Sequence, residues 1–534
     1  MSRRLENLIV RWLHHLGIPV SSHFVKEKLL SHSDYPSLLS ITDALDELGI
    51  ENAAFVVDKE RLNEVPVPFL AHTTAEGGEF ILVTDLKKLL NEQPDFNKHW
   101  DGVIVAVEKP ERWNNAENAE FLSTEKKQKQ FFRLTAVLII IISAISLWNQ
   151  FSWQYFGLLI TSLAGFGVAV LIMQHELGIS NELTEQLCAA GKNMDCDAVM
   201  HSKGSKIFKW VNWADSGIIY FSSVFLLLTI SFLTGTIRSF EMLLALLATC
   251  SLPFTLFSVF YQWRIVKKWC PLCLATVVLL WMQFIVLSPA ALNLTKGGWS
   301  MFSNNTILFA FFLFTVISGT WFQLIKPVLQ KNKALTDTNF SLQRIKNNPE
   351  IFEVLLQQQT RVATTPFEND LQIGNSEASL KVIIVSNPYC PPCVKAHEIL
   401  YNLTKRIEMS LTVRFVVYKN NNKDDVQQAV DYILQLLTKK PTSYKAMVLN
   451  DWYKLRSLEK FMKEYPLNDN TNIQDQLEEL EKWTQENRLT ATPTIFINGY
   501  KIPKGYDLFD LERIMLGLYS NQQNDIVSKI IDAT

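Results

Sequence analysis

Charged and apolar residues divide this chain of 534 residues into three parts. Residues 134–325 are mostly uncharged, whereas 1–130 and 330–534 carry most of the charge. An apolar run of about 20 residues is long enough to cross a bilayer as a helix. The pattern therefore predicts a membrane segment between two soluble regions, with six spans. The predicted spans lie near residues 131–149, 155–173, 214–235, 240–262, 269–290 and 305–325.

The charged N-terminal region has the periodicities of a small α+β domain, residues 1–125. Helical patterns come first, and short alternating apolar runs follow them. The predicted helices cover 4–18, 21–31 and 37–48, and the predicted strands cover 53–57, 69–72, 80–83 and 102–107.

The charged C-terminal region begins with a polar segment of helical pattern, 327–366, which we interpret as a linker. The domain that follows, 367–534, opens with an apolar β-run and has a second one further on. A long helical insertion separates these strands from the end of the domain. The predicted elements are a strand at 380–385, a helix to 405, a strand at 411–418, an insertion at 423–487 and a last helix from 507.

Six of the 7 cysteines form three close pairs in sequence, which indicates redox or metal chemistry. Cys188 and Cys196 lie in a polar loop, 174–213. The remaining pairs are CxxC motifs, Cys270/Cys273 at the start of a predicted span and Cys390/Cys393 between a strand and a helix.

A cysteine at a helix N-terminus is a good attacking thiolate, because free N–H groups there stabilise the anion. A zinc site would need two more ligands at suitable spacing, and none are nearby. Cys250, the unpaired cysteine, lies mid-span among Leu and Ala, and we expect it to be a buried, small hydrophobic residue.

The N-terminal domain resembles the peptidase C39 fold of some bacteriocin exporters. The resemblance covers about a quarter of the chain and rests on the segments 35–39, 68–72, 78–80 and 100–102. That family uses a cysteine nucleophile, but residues 1–125 contain no cysteine, and Glu79 stands where the family has its catalytic histidine. Because nucleophilic thiol catalysis needs a thiol and a base, we expect a degenerate binding or scaffold module.

The C-terminal domain resembles thioredoxin-like oxidoreductases of the DsbA type. The resemblance rests on Cys390, Cys393 and the segment Thr492–Pro493, together with the helical insertion. It implies an α/β thioredoxin-like fold in which Pro493 follows a cis peptide bond and faces the cysteines.

Residues 155–534 together resemble the vitamin K epoxide reductase family, whose bacterial members carry a fused thioredoxin-like domain. The matching features are Cys188 and Cys196, Ser202 six residues later, and Cys270/Cys273 heading a span. The resemblance implies a four-helix catalytic core and a role for each cysteine. Cys188 exchanges with the thioredoxin-like domain, Cys196 relays to Cys270, and Cys273 lies nearest a quinone.

Two further positions bear on this resemblance. Ser202 would hydrogen-bond near the quinone or the loop, although an ordinary solvated loop serine is an equal alternative. Many family members have a tyrosine four residues after the second membrane cysteine, where this chain has Val277. That departure affects the expected quinone preference and anticoagulant sensitivity.

Two signals disagree about the side of the membrane on which the redox domains lie. Six spans place both soluble regions and the cysteine loop on one side, and disulfide formation belongs outside the cytoplasm. Ten cations flank the spans on that side and two on the other, which favours the inside. The ten are Lys126, Lys127, Lys129, Arg133, Arg264, Lys267, Lys268, Lys326, Lys331 and Lys333, and the two are Arg238 and Lys296. The chemistry is the more specific signal, so we expect the redox domains outside a bacterial plasma membrane.

These observations predict a multidomain quinone-dependent disulfide oxidoreductase, with an α-helical membrane bundle at 131–325. Its partners would be exported client proteins with free thiols, the membrane quinone pool and the lipid bilayer, with a quinone co-substrate and no metal. The net charge of −2 does not favour binding to nucleic acid. Two alternatives remain: a reducing conduit that uses the same cysteines, and a receptor or exporter accessory that binds leader peptides through 1–125.

Overall fold

The fold comes from a computed structural model. It describes residues 5–74, 78–92, 94–148, 152–179, 184, 187–188, 194–208, 211–295, 304–367, 370–417, 425–467, 472–508 and 510–519. The chain divides into two compact units. The first contains Met1–Lys26 and Leu48–Asn339, and the second contains Glu27–Glu47 and Phe340–Thr534.

The N-terminal region has strands at all four predicted positions, paired into one antiparallel sheet in the order β1-β4-β2-β3. Two short helices between β3 and β4 were not predicted, because each is under two turns and has no clear apolar period. The helices are α1 (Leu5–His15), α2 (Ser22–Leu30), α3 (Leu38–Glu47), α4 (Leu86–Glu92) and α5 (Phe96–His99). The strands are β1 (Asn52–Val56), β2 (Phe69–Thr73), β3 (Glu79–Val83) and β4 (Trp100–Val107).

The membrane segment is helical, and five helices of the described chain are long and apolar enough to cross a bilayer. They are Trp153–Glu176, Trp213–Leu233, Phe240–Val266, Pro271–Leu292 and Asn304–Lys346. All five coincide with predicted spans. The further predicted span, 131–149, falls in a helix that is not among these five and ends where the described residues stop, so a count of six remains a prediction.

The helices of this segment are α6 (Ala116–Trp148), α7 (Trp153–Glu176), α8 (Cys196–Met200), α9 (Trp213–Leu233), α10 (Ile237–Phe260), α11 (Pro271–Thr295), α12 (Asn304–Thr320) and α13 (Lys326–Lys346). Helices α7, α9, α10 and α11 pack on one another through small and aliphatic side chains. A short hairpin, β5 (Lys206–Phe208) and β6 (Val211–Asn212), precedes α9. Outward-facing residues such as Phe311 and Phe312 are exposed and apolar, as lipid contact requires.

A buried ion pair joins the start of α9 to the last candidate span. The Asp215 carboxylate is fully buried and accepts hydrogen bonds from Lys326 Nζ at 2.5 Å and from Trp321 Nε1 at 2.8 Å. It also accepts the backbone N–H of Asn212, the N-cap of α9, at 2.8 Å. A buried charge is costly unless it is paired, so this cluster fixes where the last span packs against α9.

The second unit contains a five-stranded mixed sheet in the order β11-β10-β8-β9-β7, in which β8 and β9 are parallel. The strands are β7 (Leu371–Gly374), β8 (Leu380–Ser386), β9 (Met409–Phe415), β10 (Thr494–Ile497) and β11 (Tyr500–Lys501). The helices are α14 (Pro349–Gln357), α15 (Pro391–Arg406), α16 (Asp425–Leu437), α17 (Thr442–Leu455), α18 (Leu458–Glu464) and α19 (Gln474–Glu486). Helices α16 to α19 form the predicted insertion.

The two compact units of the structure differ from the predicted domains at two boundaries. Segment 327–366 is not only a linker, because Phe352 and Leu356 of α14 are buried in the hydrophobic core of the second unit. Residues 27–47 also belong to that unit, where Arg513 makes two hydrogen bonds of 2.6 Å to Glu47 and one of 2.8 Å to Ser31. Both differences arise from contacts between residues far apart in sequence.

The Asp215–Lys326 pair gives a test of the membrane packing. Asp215→Asn should lower the free energy of unfolding by about 3–5 kcal/mol, because it removes the counter-charge of a buried lysine. Adding Lys326→Met should recover part of that loss, since both charges are then gone. Thermal and denaturant unfolding in one detergent measures this, and Asp197→Asn is the control, at a half-exposed carboxylate. Equal losses for Asp215→Asn and Asp197→Asn would contradict the assignment.

Candidate redox sites

The membrane dithiol lies where the chain turns into α11. One turn of π-helix, Tyr261–Val266, ends the preceding span, and Lys267 adopts a left-handed conformation with φ of 58°. Cys270 then precedes Pro271, a residue suited to the first helical position because it has no N–H to leave unsatisfied. Gln262 is buried and its Oε1 accepts the Cys270 N–H at 2.8 Å. The π-turn therefore supplies the side chain that holds the start of the CxxC motif.

The polar loop contacts this helix mouth through its backbone. Met194 forms a parallel bridge with Trp269, and the Asp195 N–H donates to Trp269 O at 3.0 Å. The Asp195 carboxylate caps α8 by accepting the Ala198 N–H at 3.0 Å. Because Cys196 is the first residue of α8, the bridge brings it to the segment that leads into Cys270.

The four predicted membrane cysteines lie together. Cys188 and Cys196 form a disulfide with a Cα–Cα distance of 5.6 Å, and both are buried in one cluster with Cys270. Cys273 packs against that cluster, and its backbone N–H donates to Cys270 Sγ at 3.3 Å. Cys270 and Cys273 are free thiols, Cys270 fully buried and Cys273 half-buried.

A cavity of about 240 Å³ opens on the other side of Cys273. Its walls are largely apolar and aromatic, from Phe221, Phe254, Phe257 and Leu280. Its polar groups include Tyr220, Ser251, Gln262 and Thr276. The Tyr220 hydroxyl donates to Gln283 Oε1 at 3.1 Å, and Gln283 Nε2 donates to Ser162 Oγ at 2.9 Å, which ties three helices together behind the cavity.

Tyr220, Gln262 and Gln283 are not part of any motif in the sequence and were not predicted as site residues. A signal was present, because polar side chains inside apolar spans are costly in lipid and generally mark an internal site. Sequence alone could not show that Tyr220 and Gln262, from two different helices, share one cavity with Cys273.

The structure also places Ser202, Val277 and Cys250, three further residues considered in the sequence. The Ser202 hydroxyl donates to the Val199 carbonyl at 2.6 Å, a bond within its own loop, and Ser202 is not among the described residues that line the cavity. Val277 is buried and likewise does not line it. The expectation that Cys250 is buried was wrong: it is exposed, on the face of α10 turned away from the other helices.

The loop after Ser202 is held on the cavity wall. The Gly204 N–H donates to the Tyr261 hydroxyl at 2.9 Å, and Trp213 Nε1 donates to the Gly204 carbonyl at 2.9 Å. A Cβ at position 204 would lie 2.3 Å from the Tyr261 ring, so only glycine allows this close approach.

The second unit carries the other CxxC motif at the start of α15. Cys390 is the N-cap residue, Pro391 is the first helical residue, and Cys393 lies one turn inside. Cys390 is half-buried, and its thiol donates to the Thr492 carbonyl at 3.4 Å. This hydrogen bond brings the loop to Cys390, and the Thr492–Pro493 bond is cis.

Cys393 differs from Cys390 in its surroundings. It is fully buried in the hydrophobic core, and burial raises the pKa of its thiol to about 11. A hydroxyl from Ser386, the last residue of β8, hydrogen-bonds to this sulfur and partly offsets the effect of burial on the pKa. Cys393 is therefore a protonated thiol at neutral pH, whereas Cys390 is the cysteine within reach of a partner. No cluster of three metal-ligating side chains occurs in the described part of the chain.

The contact between the loop and the helix mouth predicts which membrane cysteines exchange. When Cys188 and Cys273 are both replaced by serine, Cys196 and Cys270 should form a lasting disulfide, because each has lost its resolving thiol. Cleavage within 203–213 and a non-reducing gel would show two fragments that stay joined. In the matched control, with Cys196 and Cys270 replaced instead, the fragments should separate. The opposite result would reverse the order of exchange in the loop.

Comparisons with known proteins identify two regions of the chain. Residues 156–288 match the vitamin K epoxide reductase family, and residues 367–515 match the thioredoxin family. The first match covers α9, α10 and most of α7 and α11, with all four membrane cysteines, and the second covers Cys390, Cys393 and Pro493. No protein of the curated set matches the chain.

Several solved structures are similar to part of the chain. The catalytic domain of Proteus mirabilis ScsC is 15% identical over 29% of this chain and 93% of its own, with a TM-score of 0.26. DsbA of Chlamydia trachomatis is 17% identical over 30% of this chain and 98% of its own, with a TM-score of 0.24. Oxidised BdbD of Bacillus subtilis is 15% identical over 29% and 96%, with a TM-score of 0.24.

The two family matches agree with the helical bundle, with the cysteine pairs at the start of α11 and in the loop beside it, and with the pair in the second unit. Both families imply a redox enzyme that acts on thiols. The chain is therefore a multi-pass membrane protein that joins a vitamin K epoxide reductase family domain to a C-terminal thioredoxin-like domain.

Proposed function

We propose that this protein is a quinone-dependent disulfide oxidoreductase that reoxidises its own thioredoxin-like domain and so forms disulfides in client proteins. One observation carries the proposal: the two cysteines of the membrane CxxC motif face different surroundings. Cys270 packs with Cys196 of the loop disulfide, whereas Cys273 lines the largely apolar cavity. A dithiol so placed suits transfer between a protein disulfide and a lipid-soluble acceptor.

In the proposed cycle each step exchanges one disulfide for another. Two client thiols become a disulfide as Cys390–Cys393 is reduced. Cys390 then attacks Cys188 of the Cys188–Cys196 disulfide and forms a mixed disulfide with it. Cys393 attacks Cys390 in this mixed disulfide and releases the Cys188 thiol. Reduced Cys196 passes the electron pair to the disulfide form of Cys270–Cys273. Each turnover therefore moves two electrons and two protons from client to acceptor.

The residues around Cys273 suit a quinone as the electron acceptor. Aromatic walls fit a flat apolar ring, and a few hydrogen-bonding groups fit its carbonyl oxygens. Tyr220 and Gln262 are the side chains we expect to orient it, because both line the cavity and both are held by other polar groups. Residue 277 is not expected to take part.

Quinone reduction by the full-length protein in lipid nanodiscs tests this function. With a reduced two-thiol client protein, and with menadione or ubiquinone-1 as the probe, the wild type should turn over and Cys273→Ser should lose at least about a hundredfold in rate. The matched control is Cys250→Ser on the outer face of α10, which should stay within about twofold. Turnover that persists in Cys273→Ser would refute the role of the cavity. Quinol oxidation coupled to client reduction would favour the reducing conduit instead.

We place the redox domains outside the cytoplasm of a bacterial plasma membrane, where disulfides are made. In intact cells with a permeabilised outer layer, a bulky impermeant maleimide should label Cys390, the half-buried cysteine at the start of α15. Cys393→Ser prevents the internal disulfide, a brief treatment with reductant frees Cys390 from any mixed disulfide, and Cys390→Ser/Cys393→Ser gives the background. Labelling only after lysis would put the site inside, as the ten-to-two count of flanking cations indicates.

A further inference from the structure

Three buried polar side chains lie beneath Cys393, on elements far apart in sequence. His397 Nε2 is 3.0 Å from Ser386 Oγ, and the Tyr453 hydroxyl is 2.6 Å from the same oxygen. Ser386 is fully buried, and Tyr453 and His397 are only 4% and 7% exposed. The His397 and Tyr453 rings stack, with centroids 4.3 Å apart. Because Ser386 also hydrogen-bonds to Cys393, the group forms a continuous chain that starts at the sulfur.

The far end of this chain reaches a second cavity. His397 and Tyr453 line a space of about 200 Å³, together with Asn450 and the exposed residues Glu398 and Lys454. The cavity therefore extends from the buried imidazole to the protein surface. Burying polar groups costs free energy unless they are hydrogen-bonded. A chain of polar side chains inside a hydrophobic core therefore indicates a functional role.

Thiol–disulfide exchange supplies a reason, because Cys393 must gain and lose a proton in each cycle. When Cys393 resolves a mixed disulfide, a bond forms between the sulfurs of Cys390 and Cys393, and the bond from Cys390 to its partner breaks. The electron pair of the broken bond leaves on the partner's sulfur. The Cys393 proton must leave as well, yet this thiol is fully buried and its high pKa keeps it protonated.

We propose that Ser386 and His397 relay the proton of Cys393 to solvent through this second cavity. The proposal rests on thiol–disulfide exchange at Cys390 and Cys393. The Cys393 proton passes to Ser386 Oγ as the Ser386 proton passes to His397 Nε2. The proton on His397 Nδ1 is then released toward the cavity. The imidazole ends as the other neutral tautomer, one proton reaches solvent, and the charge that remains is the Cys393 thiolate.

The electrostatics of the site agree with this route. Burial lowers the pKa of His397 to about 3, so the ring is neutral, and a tautomer exchange does not require a lasting imidazolium. Burial raises the pKa of Tyr453, so its hydroxyl keeps its proton and donates. With Tyr453 O–H and His397 Nε2–H both donating to Ser386, the Ser386 hydroxyl is left to donate to the thiolate. Ser386 contacts the reacting sulfur, and His397 acts through it as a positioning residue.

Stopped-flow reaction of the reduced full-length protein with DTNB separates the two thiol steps when the other five cysteines, Cys188, Cys196, Cys250, Cys270 and Cys273, are replaced by serine in every variant, so that only Cys390 and Cys393 can react. The first release of thionitrobenzoate reports attack by Cys390, and the second reports its displacement by Cys393. Ser386→Ala and His397→Ala should slow the second release by tenfold or more and change the first by less than about twofold. The control is Ser410→Ala, which removes a buried hydroxyl from the neighbouring strand β9 and should change neither.

Chemical rescue distinguishes proton transfer from packing. Imidazole should restore the second release in His397→Ala, because it fills the vacated space and carries a proton between its two nitrogens. 1-Methylimidazole has nearly the same shape but no N–H in its neutral form, so it should not. An unchanged second release in His397→Ala would overturn the proposal, and so would equal rescue by both compounds. Loss of the first release in the wild type would instead count against thiol exchange at Cys390, and the assay involves no quinone.

Discussion

The membrane site depends on one backbone contact, the pairing of Met194 and Asp195 with Trp269. This short bridge connects a polar loop to the start of a membrane helix, and the residues that follow it on the two strands are Cys196 and Cys270. Backbone hydrogen bonds fix position more strictly than apolar contacts do, because they are directional. Side chains complete the arrangement. Gln262 holds the Cys270 N–H, and Asp195 caps the short helix that begins at Cys196.

Both redox pairs use the same asymmetry between an outer and an inner cysteine. A CxxC motif at a helix start places its cysteines about one turn apart, so the two sulfurs can face different environments. In the membrane domain, Cys270 faces the loop disulfide and Cys273 the apolar cavity. In the thioredoxin-like domain, Cys390 reaches the Thr492 carbonyl and Cys393 is in the core. This separation suits the sequential disulfide exchange that we propose, in which each motif meets one partner at a time.

Several polar groups in apolar surroundings lie beside these sites or between the helices around them. Tyr220, Gln283 and Ser162 form a hydrogen-bonded network behind the cavity, and Asp215 pairs with Lys326 where the last span meets α9. Within the thioredoxin-like core, Ser386, His397 and Tyr453 lie below Cys393. Each group is costly to bury alone and becomes stable because its partners come from other elements.

Features that depend on residues close together in the chain could be predicted from the sequence. Apolar runs located five helices that are long and apolar enough to cross a bilayer, and apolar periodicity located the strands and helices around Cys390 and Cys393, since amphipathic patterns repeat every few residues. The spacing of Cys188, Cys196, Cys270 and Cys273 indicated the candidate redox site, and the structure brings these four residues together. Contacts between distant residues became visible only in the folded protein, such as Gln283 with Ser162, 121 positions apart, and Ser386 with Tyr453, 67 apart. The exposure of Cys250 and the burial of Phe352 and Leu356 also depend on tertiary packing and could not be predicted from the sequence. The reason is physical: a local pattern shows that a residue is polar or apolar, but which surface covers it depends on how distant elements pack.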